Sequence, residues 1–324
     1  MPAPTNPFQP YADRYLDYSS GNDARPTALD VVKDLNLVDK LQDKVILITG
    51  ASAGLGAKQL ARGEAIAEEL MGSNPHGKRP TLIEMELASL DSVREAAKQF
   101  LDQEKRLDIL INNAGIMAVP EGRTVDGFET QLGVNHFGHF LFFQLLKPVL
   151  LASGTSESPS RVITLSSAGH KANGIFFEDL DMSKQGYQPM IAYAQSKTAN
   201  IYMANSIERH YGARNLRGLS VHPGLIFTTQ LGRHMSAEEM EAFAPMAHLA
   251  RSPEQGAATS VWAALSPHFD SRGGFYLADA GVSSPAGEDE NFGGPGYAPH
   301  AYDEDAEEKL WKLSYKAVEL QDEE

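Results

Sequence analysis

Residues 44–56 read KVILITGASAGLG, a β-branched run that breaks into a glycine-rich turn. Glycine permits a tight turn and close backbone approach, and a helix that follows such a turn presents free N–H groups to a pyrophosphate. Alone, Thr49-Gly50-x3-Gly54-x-Gly56 reads equally well as a nucleotide cradle or as a plain strand-to-helix turn. The surrounding sequence narrows the choice. From Lys44 onward short β-branched runs alternate with longer helical patterns, which is the grammar of a parallel sheet with helices on both faces. The further strand candidates are TLIEMEL (81–87), LDILIN (107–112), RVITLS (161–166), GLSVH (218–222) and GFYLA (274–278).

Polar punctuation falls at the carboxyl ends of these runs. Gly50 to Gly56 follows the first, Asn112-Asn113-Ala114-Gly115 the third, Ser166-Ser167 the fourth and His222-Pro223-Gly224 the fifth. In an open parallel sheet the ligand crevice lies at that edge, so four clusters far apart in sequence are expected to meet at one site. The fold expected is α/β, a doubly wound parallel sheet. Residues 1–43, rich in Pro, Asp, Asn and Gly, are expected to form an N-terminal arm with a short helix around 28–41. Residues 44–324 are read as a single domain, with a substrate lid at about 229–253 and a C-terminal helix at about 303–320.

Composition narrows the partners. A net charge of −15 over 324 residues repels phosphate backbones and anionic lipid heads, which argues against nucleic acid. The absence of cysteine excludes disulfides, thiolate catalysis and Fe–S clusters. The apolar stretch 137–151 is interrupted by His139, Gln144 and Lys147 and is too short to span a bilayer. The start of the chain has no secretory signal pattern, and a cytoplasmic protein is expected. The histidines form no close ligand pair on a helix, so His136, His139 and His222 are read as structural and no metal is expected.

Chemistry is carried by Tyr193-Ala-Gln-Ser-Lys197. Residues four apart share a helix face, so the phenol and the ammonium meet there. A nearby cation is expected to lower the phenol's pKa toward working pH and make it a general acid/base. Ser167 can donate to a substrate carbonyl. Asn135, in VNHFGHF, is placed to order a water that links Lys197 to solvent.

These motifs resemble the short-chain dehydrogenase/reductase family over roughly residues 44–280. LDILINNAGIM, LGVNHFGHFLFFQLLKPVL, RVITLSSAGHK, AYAQSKTANI and SVHPGLIFT look most like the branch of retinol dehydrogenases and WW-domain oxidoreductases. The resemblance implies a catalytic tetrad of Asn135, Ser167, Tyr193 and Lys197. It also implies cofactor contacts from Gly50, Ser52, Gly54, Leu55 and Gly56, from Asn113, Ala114 and Gly115, from Tyr193 and Lys197, and from Pro223, Gly224, Ile226 and Thr228. The activity implied is hydride transfer between NADP(H), preferred over NAD(H), and a carbonyl or alcohol of a small molecule, in a chain that can form homo-oligomers. Ile175, Phe176, Phe177, Met182, Tyr187 and Met190 before Tyr193, with Leu231, Met235, Met240, Phe243 and Met246 after Thr228, suggest a hydrophobic substrate or plain core packing equally.

The sequence departs from that family in one region. Residues 50–80 supply 31 positions where two helices, a strand and loops need roughly 45. Residues 57–80 contain no Val, Thr, Phe, Tyr or Trp and a single Ile, so one helix at about 55–71 is expected and no second strand. That strand normally ends in the residue that reads the adenosine ribose. Arg62 could replace it or be a solvated helix residue, and Glu86-Leu87 stands where Asp-Leu is usual. Either TLIEMEL moves into the vacated sheet position, or a segment has been lost. Two functions follow: a working oxidoreductase, or a catalytically impaired dinucleotide-fold protein with a binding or assembly role.

Overall fold

The computed structural model describes residues 7–16, 23–50, 57–73, 77–287 and 293–322. Six strands form one sheet in the order β1 to β6: β1 (Ile46–Ile48), β2 (Ile109–Asn112), β3 (Ser160–Leu165), β4 (Leu216–Val221), β5 (Phe275–Ala278) and β6 (Gly281–Val282). The first five run parallel; β6 returns antiparallel through a tight turn at Asp279 and Ala280. The register sets Leu110 beside Val162 and Ile111 beside Ile163. Alternate side chains therefore feed two cores, one on each face of the sheet.

On one face Leu110, Val162 and Leu216 pack with α3 (Leu90–Gln103), α5 (Gly138–Ser153), α6 (Pro189–Tyr211) and α9 (Glu304–Ala317). Helix α5 is apolar almost all round and is correspondingly buried. It follows α4 (Thr130–Leu132) and a π-helical turn at Gly133–Phe137. Helix α9 is amphipathic, capped by Asp303, and lays Leu310, Trp311 and Tyr315 inward. Trp311 and Tyr315 meet Phe140 edge-on, with centroids 5.0 and 5.2 Å away.

On the other face Ile109, Ile111, Ile163, Leu165, Leu219 and Val221 pack with α8 (Pro253–Leu265) and the N-terminal segment. That segment forms a belt, with α1 (Ala28–Asp34) lying on α8 behind a capping box of Thr27 and Asp30. Phe8 stacks on His268 at 4.3 Å and accepts a bond from Val282 N–H, while Tyr11 is buried. The buried Arg25 guanidinium donates to the carbonyls of Leu249 and Ala250, tying the belt to the far end of the 229–250 segment.

The shortened region is resolved in favour of neither strand nor replacement. Helix α2 (Ala57–Ser73) fills it, and residues 81–87, expected as a strand, join no strand of the sheet. Ile83 and Met85 pack on the α3/α5 core instead, Leu82 lies against Gly63 of α2, and the Leu87 carbonyl crosses α5 so closely that a Cβ at Gly138 would sit 2.7 Å from it. The alternation in TLIEMEL reflects a segment that lies across the α3/α5 core. Among the described residues β1 is thus an edge strand. Val45 C=O and Thr49 N–H bond toward β2, so the backbone groups of Ile46 and Ile48 face outward, and those side chains are 39% and 49% exposed.

Candidate active site

The carboxyl ends of β1 to β4 lie side by side. Thr49, leaving β1, rivets the next turn: its Oγ1 accepts from Asn113 N–H and Ala114 N–H, both at 3.0 Å, and its carbonyl accepts from Asn113 Nδ2 at 2.9 Å. Gly50 has φ +75°, and a Cβ there would lie 2.7 Å from Ala114 Cα. Only glycine allows that approach. Ser52, Gly54, Leu55 and Gly56 lie outside the described residues, as does the side chain of Arg62. Gly115 faces inward, where a Cβ would stand 3.3 Å from Asn135 Oδ1 and 3.4 Å from Lys197 Nζ.

Helix α6 brings Tyr193 and Lys197 onto one buried face. Lys197 Nζ donates to Leu165 C=O at 2.9 Å and sits 5.5 Å above the Tyr193 ring. Burial lowers the Lys197 ammonium to about 8. Burial also pushes the Tyr193 phenol up to about 12, and a hydrogen bond with the Ser167 hydroxyl offsets only part of the rise. The phenol is thus raised where a depression by Lys197 was expected, and desolvation is the dominant cause. Ser167 leaves β3 in an extended conformation, and its hydroxyl also accepts from Gly169 N–H.

Asn135 is held on both sides of its carboxamide. Its Oδ1 accepts from Ile116 N–H at 2.9 Å, and its Nδ2 donates to Ile116 C=O at 3.0 Å and Ser196 Oγ at 2.9 Å. The carboxamide clamps the 113–117 turn to α6 with both amide protons, and its Oδ1 keeps one lone pair beyond the bond from Ile116.

At the end of β4, Pro223, Gly224, Ile226 and the exposed Thr228 lead into the 229–250 segment. Gly224 has φ +87° and lies against the Arg251 guanidinium, and Gly256 leaves room for Ile226 Cδ1. Met117, Met235 and Met240 gather around Gly232, and Phe227 meets Phe243 edge-on at 6.4 Å. Of the residues before Tyr193, Ile175 and Phe177 join the α5/α9 core and Met182 is buried. Tyr187 enters a polar clamp in which its hydroxyl donates to Val119 C=O, while Gln131 bonds Ala118 N–H, the Tyr187 hydroxyl and Pro189 C=O.

That clamp, with Gln131 fully buried beneath the 116–119 loop, was not legible in the sequence, nor was the bond between His139 and Thr49. Gln131 gives no signal by residue type. His139 does, since an imidazole at the start of an apolar helix needs two polar partners.

The profile of the short chain dehydrogenase family matches residues 44–240. The chain is 41% identical to short-chain dehydrogenase/reductase prx1 of Penicillium roqueforti, over 96% of this chain and 95% of that protein. It is 35% identical to human retinol dehydrogenase 14, over 86% and 88% respectively. A crystal structure of an uncharacterised Mycobacterium paratuberculosis protein superposes with a TM-score of 0.61 at 32% identity, over 87% of this chain and 95% of that one. The alignment with prx1 runs over 333 positions, more than the 324 residues of this chain, so that relative holds positions this chain lacks. An α/β sheet with a glycine-rich turn after β1, NNAG after β2 and YAQSK on α6, matched by that profile over more than half its length, makes this chain a member of the short-chain dehydrogenase/reductase family of NAD(P)-dependent oxidoreductases.

Proposed function

We propose that the chain moves a hydride between NADP(H) and a carbonyl or alcohol group of a hydrophobic small molecule, with Tyr193 transferring the proton. The carrying observation is the meeting of the Ser167 hydroxyl, the Tyr193 phenol and the Lys197 ammonium at the carboxyl edge of the sheet. A nicotinamide dinucleotide fits the residues around them. Gly50 lets the β1 end close onto Ala114, Gly115 leaves Asn135 and Lys197 room beside it, and Lys197 keeps two ammonium protons for ribose hydroxyls beyond the one given to Leu165. The cofactor, when bound, supplies or accepts the hydride.

Each side chain then has a task. Ser167 donates to the substrate oxygen and holds it beside the phenol. Tyr193 gives its proton to that oxygen in reduction and takes it back in oxidation. Lys197, whose ammonium burial lowers to about 8, would hold the ribose hydroxyls through its two remaining protons. Asn113 to Gly115 and Pro223 to Thr228 line the floor and the nicotinamide side. Support for an apolar substrate comes from the Met117, Met235 and Met240 cluster and from Phe227 and Phe243. Ile175, Phe177 and Met182 supply core packing and drop out of that argument.

NADP(H), the preference implied by the resemblance, is the cofactor to try first. The open edge at β1 favours a second reading, a cofactor-poor protein with a binding role. Fluorescence titration of the purified chain with NADPH and NADH, with turnover of a panel of apolar aldehydes and ketones, separates the two. Binding and turnover lost in Tyr193→Phe support the enzyme; no binding of either nucleotide supports the second reading.

A further inference from the structure

His139 is almost fully buried, one turn from the candidate tetrad, and the mechanism above does not use it. Its Nε2 lies 2.9 Å from Thr49 Oγ1 and its Nδ1 lies 3.0 Å from Asn135 C=O. The neighbours fix which nitrogen holds the proton. A hydroxyl oxygen has two lone pairs and one hydrogen. Thr49 Oγ1 accepts from Ala114 N–H and from Asn113 N–H, which also reaches Ile111 C=O, and the Asn135 carbonyl can only accept, so the Thr49 hydrogen goes to His139 Nε2. Nδ1 then carries the ring proton and donates it to Asn135.

A buried polar chain results. It runs from the Asn113 and Ala114 amides through Thr49, His139 and Asn135 to Ser196, whose hydroxyl donates to Tyr193 C=O at 2.7 Å. We propose that His139 is a positioning residue which, as the Nδ1–H tautomer, holds the floor of the cofactor crevice in register with the catalytic helix. What it positions rests on the reading of Tyr193 and Asn113 to Gly115 given above. An apolar side chain would fill the same volume but would strand the Thr49 hydroxyl proton and one bond of the Asn135 carbonyl in a dry interior. Burial and the facing Lys197 ammonium both disfavour a second ring proton. His136, on the same face of the chain, is itself held neutral by burial.

The tautomer is tested on the intact chain, without cofactor, by long-range 15N–1H correlation of its imidazoles, with the His139 signals identified by their loss in His139→Gln. The expected pattern is Nδ1–H with no titration between pH 6 and 8. An Nε2–H pattern, or an imidazolium in that range, overturns the proposal. Function is tested with His139→Phe and His139→Gln. Phe lowers kcat or NADPH affinity by about ten- to a hundredfold, and Gln, which keeps one acceptor and one donor, recovers most of the loss. Equal activity in the two variants overturns the role. Because Phe can reduce folding, His139→Gln and Thr49→Val are also combined: melting losses that do not add confirm the coupling, and additive losses refute it. If wild type binds neither nucleotide, the oxidoreductase reading fails, while the tautomer and the coupling still decide the position of His139.

Discussion

The two ends of the crevice are built to different standards. At the catalytic end Thr49, Asn135, Tyr193, Ser196 and Lys197 are buried and bonded to neighbours on β3, the 113–117 turn, α5 and α6. At the adenosine end β1 is an edge strand with Ile46 and Ile48 exposed, and between residues 63 and 72 helix α2 buries only Gly63 and Ala67. An exposed Arg79, paired with Glu64 and Glu68, links α2 to the segment after it. A flanking strand can be absent without loosening the catalytic end, because α5, α6 and α9 hold that end from the opposite face of the sheet.

The largest effect expected falls on the catalytic end. Tyr193→Phe removes one hydroxyl from a packed helix, so the melting temperature holds while kcat falls by about two to four orders of magnitude. Stopped-flow or steady-state assays against a thermal melt check both halves. Activity within tenfold of wild type would remove Tyr193 from the proton path and leave the two ends functionally alike.

Acid should attack the same end. His136, His139 and His170 are held neutral by burial at about 3, 4 and 3, and His222 is lowered well below its ordinary value. Unfolded, all four take a proton near pH 6.5. Their folded pKa values are depressed, so their contribution is full above 6.5 and is lost as pH falls toward the folded values, by up to about tenfold in the folding constant per pH unit for each. Burial raises Glu129 and Glu307, which work in the opposite direction, but they are two against four. Stability should therefore fall steeply from pH 6.5 to 4.5. Denaturant melts across that range check the slope; a flat profile would mean that water reaches these rings.

Next in size is the adenosine end. A helix and strand of family-like sequence inserted after Gly56 should tighten NADPH by about one to two orders of magnitude, the worth of a charge-assisted bond to the ribose phosphate. Calorimetry with NADPH and NADH on both chains measures it. Tight, NADP-selective binding by the unmodified chain would show that this end is already furnished, by Arg62 or another cation.

The same contrast governs how much could be read in advance. Strands β1 to β5, the helix at 57–73 and the placement of Tyr193 and Lys197 follow from periodicity and residue type, since parallel strands buried on both faces are continuous apolar runs. Residues 81–87 misled because alternation reports a half-buried extended segment and does not report whether a partner strand exists. The two-residue β6 is too short to carry a pattern. Of the N-terminal belt only the short helix was legible, because Phe8, Tyr11 and Arg25 act as isolated anchors without a period. The phenol's pKa was misjudged because sequence spacing gives the proximity of Lys197 and says nothing about desolvation.

The smallest effect concerns what holds α2 down. Its contacts include the buried Ala67, the approach of Gly63 to Leu82, and the Arg79 pairs with Glu64 and Glu68 at the surface. Exposed ion pairs contribute little, because water screens them and two long side chains lose freedom in forming them. Arg79→Ala should therefore quicken amide exchange in residues 63–72 by less than about fivefold and leave the amides of α6 unchanged. Added salt should produce a similar small increase in wild type and none in the variant. If Arg79→Ala instead frees α2 to exchange at the rate of an unfolded chain, the adenosine end is held by one surface cation, and cofactor affinity should become as salt-sensitive as that pair.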